Sequence, residues 1–83
     1  MHSRVNSERM DVRRVVGANL KRLRIAAGLT QEQLAERSGF SQQYLSETEN
    51  GKRNPSVVSL YEIGVALGVS LSQLVQTAND REP

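Results

Sequence analysis

Residues 31 to 50, QEQLAERSGFSQQYLSETEN, decide how this chain folds. Thr30 stands just before the stretch and Gln33 three residues further on, a capping-box pattern that opens a helix carrying Leu34 and Ala35 inward. Gly39 ends that helix, because the turn calls for a positive φ that glycine adopts at no steric cost. Ser41 then caps a second short helix. Ala35, four positions before Gly39, suits a close helix crossing, and Leu45, six positions after it, supplies an apolar anchor. At roughly 100° per residue, Leu45, Thr48 and Glu49 fall toward one side of the second helix and Gln43, Ser46, Glu47 and Asn50 toward the other. One side packs, and the polar side has no packing purpose.

Outward from this stretch the periodicity stays helical. Val12, Val16, Leu20, Leu23 and Ala27 line one face of a helix that begins near Asp11 and ends at Gly28, with Arg13, Lys21 and Arg22 off that line. Downstream, Asn50-Gly51 ends the second helix, and Lys52-Arg53-Asn54-Pro55 forms a polar turn whose proline sits in the first turn of the next helix. That helix runs to about Leu67, with Val57, Leu60, Ile63, Ala66 and Leu67 inward and Gly68 at its exit. Ser70 with Gln73 repeats the capping box and starts a fifth helix bearing Leu71, Leu74 and Val75. Residues 1–10 and 79–83 are polar tails around a domain spanning 11–78. Five short helices without strand-like alternation predict an all-α, compact five-helix bundle.

Composition narrows the function. An 83-residue chain holds one small domain, and at this size only roughly 60% of the unfolded surface is buried, so a partner subunit would add stability. Cysteine is absent and the single histidine is His2, which leaves no thiolate metal site and no disulfide framework. Neither a membrane-spanning run nor a signal peptide is present, and a cytoplasmic location is expected. No nucleophile, base and orienting group occur together, and no glycine-rich phosphate loop is found, so neither an enzyme nor a cofactor is expected. Residues 1 to 28 carry seven Arg or Lys against two acids, a local balance of +5, while the remainder sums to −3. A polyanion would be drawn to the basic third.

The spacing of Ala35, Gly39 and Leu45 is that of a helix-turn-helix. With Val16, Leu20, Leu23 and Arg24 before it, Glu49-Asn50-Gly51-Lys52 at its close and Pro55 beyond, the chain resembles the phage repressor and Cro-like (XRE-type) helix-turn-helix family, which implies a lambda-repressor-like DNA-binding domain. The resemblance implies that Gln42, Gln43, Ser46 and Glu47 read bases in the major groove. Their chemistry agrees: glutamine pairs with adenine N6 and N7, a carboxylate accepts from the cytosine amino group, and serine suits several bases. Similarity further implies that Gln31 clamps the DNA backbone on one side of the groove while Lys52, Arg53 and the opening turn of the fourth helix grip the other. Asn50 joins the phosphate-binding set, and Arg13 and Arg14 are additional candidates. The Tyr44 ring either covers the helix crossing while its hydroxyl reaches a phosphate, or packs at the domain edge. Arg24 and Glu49, each uncomfortable alone on a packed face, are expected to form a structural ion pair. Thr48 departs from the family, which more often places a larger apolar side chain there.

One inserted helix contacts too few base pairs for a genomic site, so double-stranded DNA is expected to be bound by a homodimer reading a pseudo-palindrome. Val69, Leu71, Leu74 and Val75 are the expected dimer surface, although some of them must close the monomer core instead. The implied function is a small transcriptional regulator, repressor or activator, without a small-molecule ligand. Size and the Lys52-Arg53-Asn54 ending are similar to those of restriction-modification controllers. The rival reading is an antitoxin or interaction module whose main partner is another protein.

Overall fold

The computed structural model describes residues 11–77, and the two polar tails expected at 1–10 and 79–83 lie outside them. Among the described residues five helices follow one another: α1 (Val12–Ala26), α2 (Gln31–Ser38), α3 (Gln42–Glu49), α4 (Val57–Leu67) and α5 (Leu71–Val75). The α1 helix packs on α3 and α5, α2 on α3 and α4, and α4 on α5. Leu20, Leu23, Leu29, Leu34, Leu45, Ile63, Leu67 and Leu74 meet in one core, so every helix contributes a side chain to it.

The punctuation follows local chemistry. Asp11, Thr30, Ser41, Ser56 and Ser70 each accept a hydrogen bond from a backbone N–H of the first turn they precede. Thr30 with Gln33 and Ser70 with Gln73 form complete capping boxes, as their spacing predicts. Gly39 closes α2 at φ +83°, the left-handed conformation expected of it. Pro55 does not enter α4: the helix is capped by Ser56, and the proline stands outside it.

The apolar periodicity overruns the packed segments by about a turn. Val12 and Val57, both expected inward, are 57% and 66% exposed because each is the first residue of its helix and overhangs a core that begins at Val16 and Leu60. Ala27, expected on the same inner line as Val12, lies past the end of α1 and is exposed. Leu29, which belongs to no periodic segment, is buried between α1 and α2.

Two residues of α1 set the positions of its neighbours. Asn19 is 2% exposed, and its amide donates to the Leu74 carbonyl at 2.9 Å and to the Gln76 carbonyl at 2.8 Å. These are orphan carbonyls at the end of a five-residue helix that has few hydrogen bonds of its own. Gly17 lies where α1 meets the end of α3: a Cβ there would stand 2.4 Å from the Thr48 carbonyl oxygen and 2.6 Å from that of Glu49. Gly17→Ala should therefore push α3 away and destabilise the fold by roughly 1–3 kcal/mol. Thermal unfolding followed by circular dichroism reads this directly, and an unchanged melting temperature would show that the crossing is looser than described.

Candidate nucleic-acid interface

The rear of α3 is anchored by the expected ion pair. Arg24 Nε donates to Glu49 Oε2 at 2.6 Å and Arg24 Nη2 to Glu49 Oε1 at 3.1 Å, a two-pronged contact between side chains that are 11% and 3% exposed. Arg24 Nη1 also donates to the Leu29 carbonyl at 2.8 Å, and Gln31 Nε2 donates to Glu49 Oε1 at 3.1 Å. The pair thus joins α1, the α1–α2 loop, the start of α2 and the end of α3. The hydrogen bond to Glu49 raises the Arg24 pKa above its ordinary value against the opposing effect of burial, so the guanidinium stays charged. Thr48 fits the packed side without a larger apolar group, since its buried hydroxyl donates to the Tyr44 carbonyl at 2.7 Å.

The opposite side of α3 is polar and faces away from the core. Gln42 and Gln43 in the first turn are exposed, and Ser46 and Glu47 one turn later are half-buried. Gln43 Nε2 donates to Glu47 Oε2 at 3.2 Å, and Arg53 Nε donates to Glu47 Oε1 at 2.8 Å. These bonds, Arg53 first and Gln43 second, hold the Glu47 carboxyl below its usual pKa. Because the shift is downward, the contacts are fully present above the ordinary carboxylate range and are lost as acidification protonates the folded-state group. Arg53 also lies over the Tyr44 ring, 4.9 Å from guanidinium carbon to centroid, and Tyr44 stacks on Phe40 at 5.0 Å and 16° between ring planes.

The remaining sequence-predicted residues are distributed around this face. Gln31 is half-buried against Glu49, Asn50 donates to the Ser46 carbonyl at 2.9 Å, and Lys52 is exposed just past α3. Arg13 and Arg14 pair with Asp11 at 3.4 and 3.8 Å, and the Arg14 stem lies so close to Gly51 that a Cβ there would stand 3.0 Å from its Cγ. Arg14 is thereby placed beside the exit of α3. Of the residues expected at a dimer surface, Leu74 is corrected: it is fully buried in the monomer core. Val69 is half-buried against that core, Leu71 is half-buried, and Val75 is 42% exposed. Sequence reasoning missed Phe40, the stacking partner of Tyr44, because a single aromatic in a turn carries no periodic signal.

Residues 20–74 match the model of the helix-turn-helix family HTH_3. The chain belongs to that family. Over 74 residues it is 58% identical to an uncharacterized HTH-type transcriptional regulator of Sinorhizobium fredii, covering 89% of this chain and 95% of that one. Among solved structures, the hypothetical transcription factor NHTF from Neisseria superposes with a TM-score of 0.80 at 30% identity, covering 84% of this chain and 80% of the other. The restriction-modification controller C.AhdI of Aeromonas hydrophila superposes with a TM-score of 0.72 at 37% identity, covering 75% and 94%. This helix-turn-helix protein has the lambda-repressor-like fold and is a sequence-specific DNA-binding transcriptional regulator. Its relatives favour that function over a module built to bind another protein.

Since Arg24 serves the fold, Arg24→Ala strands the Glu49 carboxylate and should cost about 3–5 kcal/mol of stability. Chemical denaturation measures the loss. A variant of normal stability with altered base preference would instead make Arg24 part of the reading surface.

Proposed function

We propose that this helix-turn-helix protein works as a two-fold homodimer that reads a pseudo-palindromic operator by laying α3 in the major groove of each half-site. The observation that carries the reading is the division of α3: its rear is joined to three other segments through Arg24 and Glu49, while among the described residues no helix covers its polar front. A rigid element with an uncovered hydrogen-bonding face is what base recognition requires. Gln42 and Gln43 project from the first turn, where an inserted helix reaches base edges first, and Ser46 follows one turn later.

Phosphate contacts flank this face. The Gln31 amide gives one N–H to Glu49 and keeps a second for a phosphate oxygen, so the buried pair also orients the clamp. Lys52, Asn50 and Arg14 are grouped at the exit of α3 and would hold the backbone on the far side. These contacts set register and strengthen binding without selecting sequence.

For the dimer, the exposed apolar face of α4 replaces Leu74 as the main contributor. Val57, Val58, Tyr61 and Val65 are 66%, 65%, 59% and 64% exposed, adjoining the buried stripe of Leu60, Ile63 and Leu67 on the same helix. Val75 and Leu71 would extend that surface. A helix apolar on nearly all sides calls for a second covering layer, and an identical chain provides it by symmetry. Two α3 helices roughly 34 Å apart would then face successive major grooves. The regulator would act in the cytoplasm by occupancy and site overlap, blocking or touching polymerase, with no chemical step of its own.

Selection of bound duplexes from a random library tests the reading, the expected product being two inverted half-sites at fixed spacing. On the selected duplex, Gln43→Ala should cost about 1–3 kcal/mol and relax preference at one base position per half-site. A uniform loss across all sequences would remove Gln43 from the base-reading set.

A further inference from the structure

The loop that follows α3 does not leave Arg53 free. An arginine on a polar turn ordinarily samples many rotamers in water, yet here the Nε of the guanidinium and its contact with the Tyr44 ring are both engaged. Its Nε donates to Glu47 Oε1 at 2.8 Å, and its guanidinium carbon lies over the ring of Tyr44, which is backed by Phe40. Glu47 is itself held, since its second oxygen accepts from Gln43 Nε2 at 3.2 Å. The chain of contacts therefore runs from a first-turn residue of α3 through Glu47 to Arg53, and it brings the arginine alongside the polar front of the helix.

What remains of the guanidinium is its outer edge. Among the described residues, the terminal nitrogens of Arg53 donate to no protein acceptor, and the side chain is 46% exposed. Two donors in a fixed fork match guanine O6 and N7, the pairing that most often specifies a base in the major groove. A phosphate contact needs no such pre-orientation, for a mobile cation satisfies it. Glu47 raises a second point. A bare carboxylate on a surface that meets DNA is repelled by phosphates, and the adjacent guanidinium offsets that charge without consuming the outer donor edge.

We propose that Arg53 is a specificity-determining side chain that reads a guanine in the major groove, with Glu47 and Tyr44 as positioning residues that hold its free donor edge beside Gln43. The assignment rests on α3 lying in the major groove. It moves Arg53 from the phosphate-binding set to the base-reading set, and Glu47 from direct readout to support of the arginine. Preorganisation is the physical gain: the side-chain entropy of a long arginine is already lost in the free protein.

The test measures wild type, Arg53→Ala, Glu47→Ala and the double variant against the duplex selected by the wild-type chain and against all its single-base substitutions. Arg53→Ala should reduce discrimination at one guanine per half-site by roughly 5- to 150-fold. Glu47→Ala should relax that same position while raising affinity for unrelated duplex, and the double variant should relax it no further than Arg53→Ala alone. Both residues lie at the surface, so circular-dichroism melting curves should stay close to wild type. A uniform loss for Arg53→Ala, with a shallower salt dependence, would return that residue to the phosphates and overturn the assignment. So would relaxation at a different base by Glu47→Ala, since Glu47 would then read on its own account. Failure of the wild-type chain to select any sequence would instead remove the major-groove reading beneath it.

Discussion

Arg24 and Glu49 form a contact that few small domains could carry without a strong reason, because two charges withdrawn from water cost several kcal/mol apiece before they meet. Here that cost is offset by geometry. Two parallel hydrogen bonds join the pair, the Leu29 carbonyl takes a third donor of the arginine, and Gln31 completes the shell of the carboxylate. The result is directional in a way that apolar packing is not. Leucines in the core permit small rotations of α3, whereas a bidentate contact at its last residue does not. The direction in which Gln42, Gln43 and Ser46 point follows from that restraint and from the absence of a side chain at Gly17.

Residues in the two short helices consequently have divided duties. Glu49 holds α3 from behind and Gln31 reaches the same carboxylate from α2, so the element that would grip phosphate and the element that would read bases share one anchor. On the front, Glu47 and Tyr44 gather Arg53 from the loop. The α4 helix carries exposed valines and Tyr61, the face that a second chain would cover in the proposed dimer. A site read twice would gain both affinity and spacing selectivity from that cover.

Much of this was legible in the sequence because it depends on local chemistry. The capping boxes at Thr30 and Ser70, the cap at Ser41 and the glycine turn at Gly39 act over a few residues, and these appear in the structure where the string places them; the start of α4 does not, since Ser56 and not Pro55 opens it. The Arg24–Glu49 pair was legible for a different reason: two charges on packed faces need each other. Residues whose role is set by distant neighbours were not legible. Asn19 reads as an ordinary polar residue until Leu74 and Gln76 arrive 55 and 57 positions later, and Gly17 reads as a weak helix former until Thr48 is set against it. Leu74 shows the same limit, since a five-residue amphipathic pattern does not say which apolar face closes the core. The ends of periodic runs misled at Val12 and Val57, where sequence period continues but the neighbouring helix does not. Within the candidate site, residue types were readable and their grouping was not: nothing in the order Gln43, Tyr44, Glu47, Arg53 announces that the arginine folds back on the other three.

The central claim is that the front of α3 enters the major groove of two successive half-sites. Methylation interference on the selected duplex addresses it most directly, because a methyl group on guanine N7 obstructs the major groove and one on adenine N3 obstructs the minor groove. Interference at guanine N7 in two patches about one helical turn apart, on one face of the duplex, is the result expected. Interference confined to adenine N3, or none at guanine N7 anywhere within the protected site, would contradict the account.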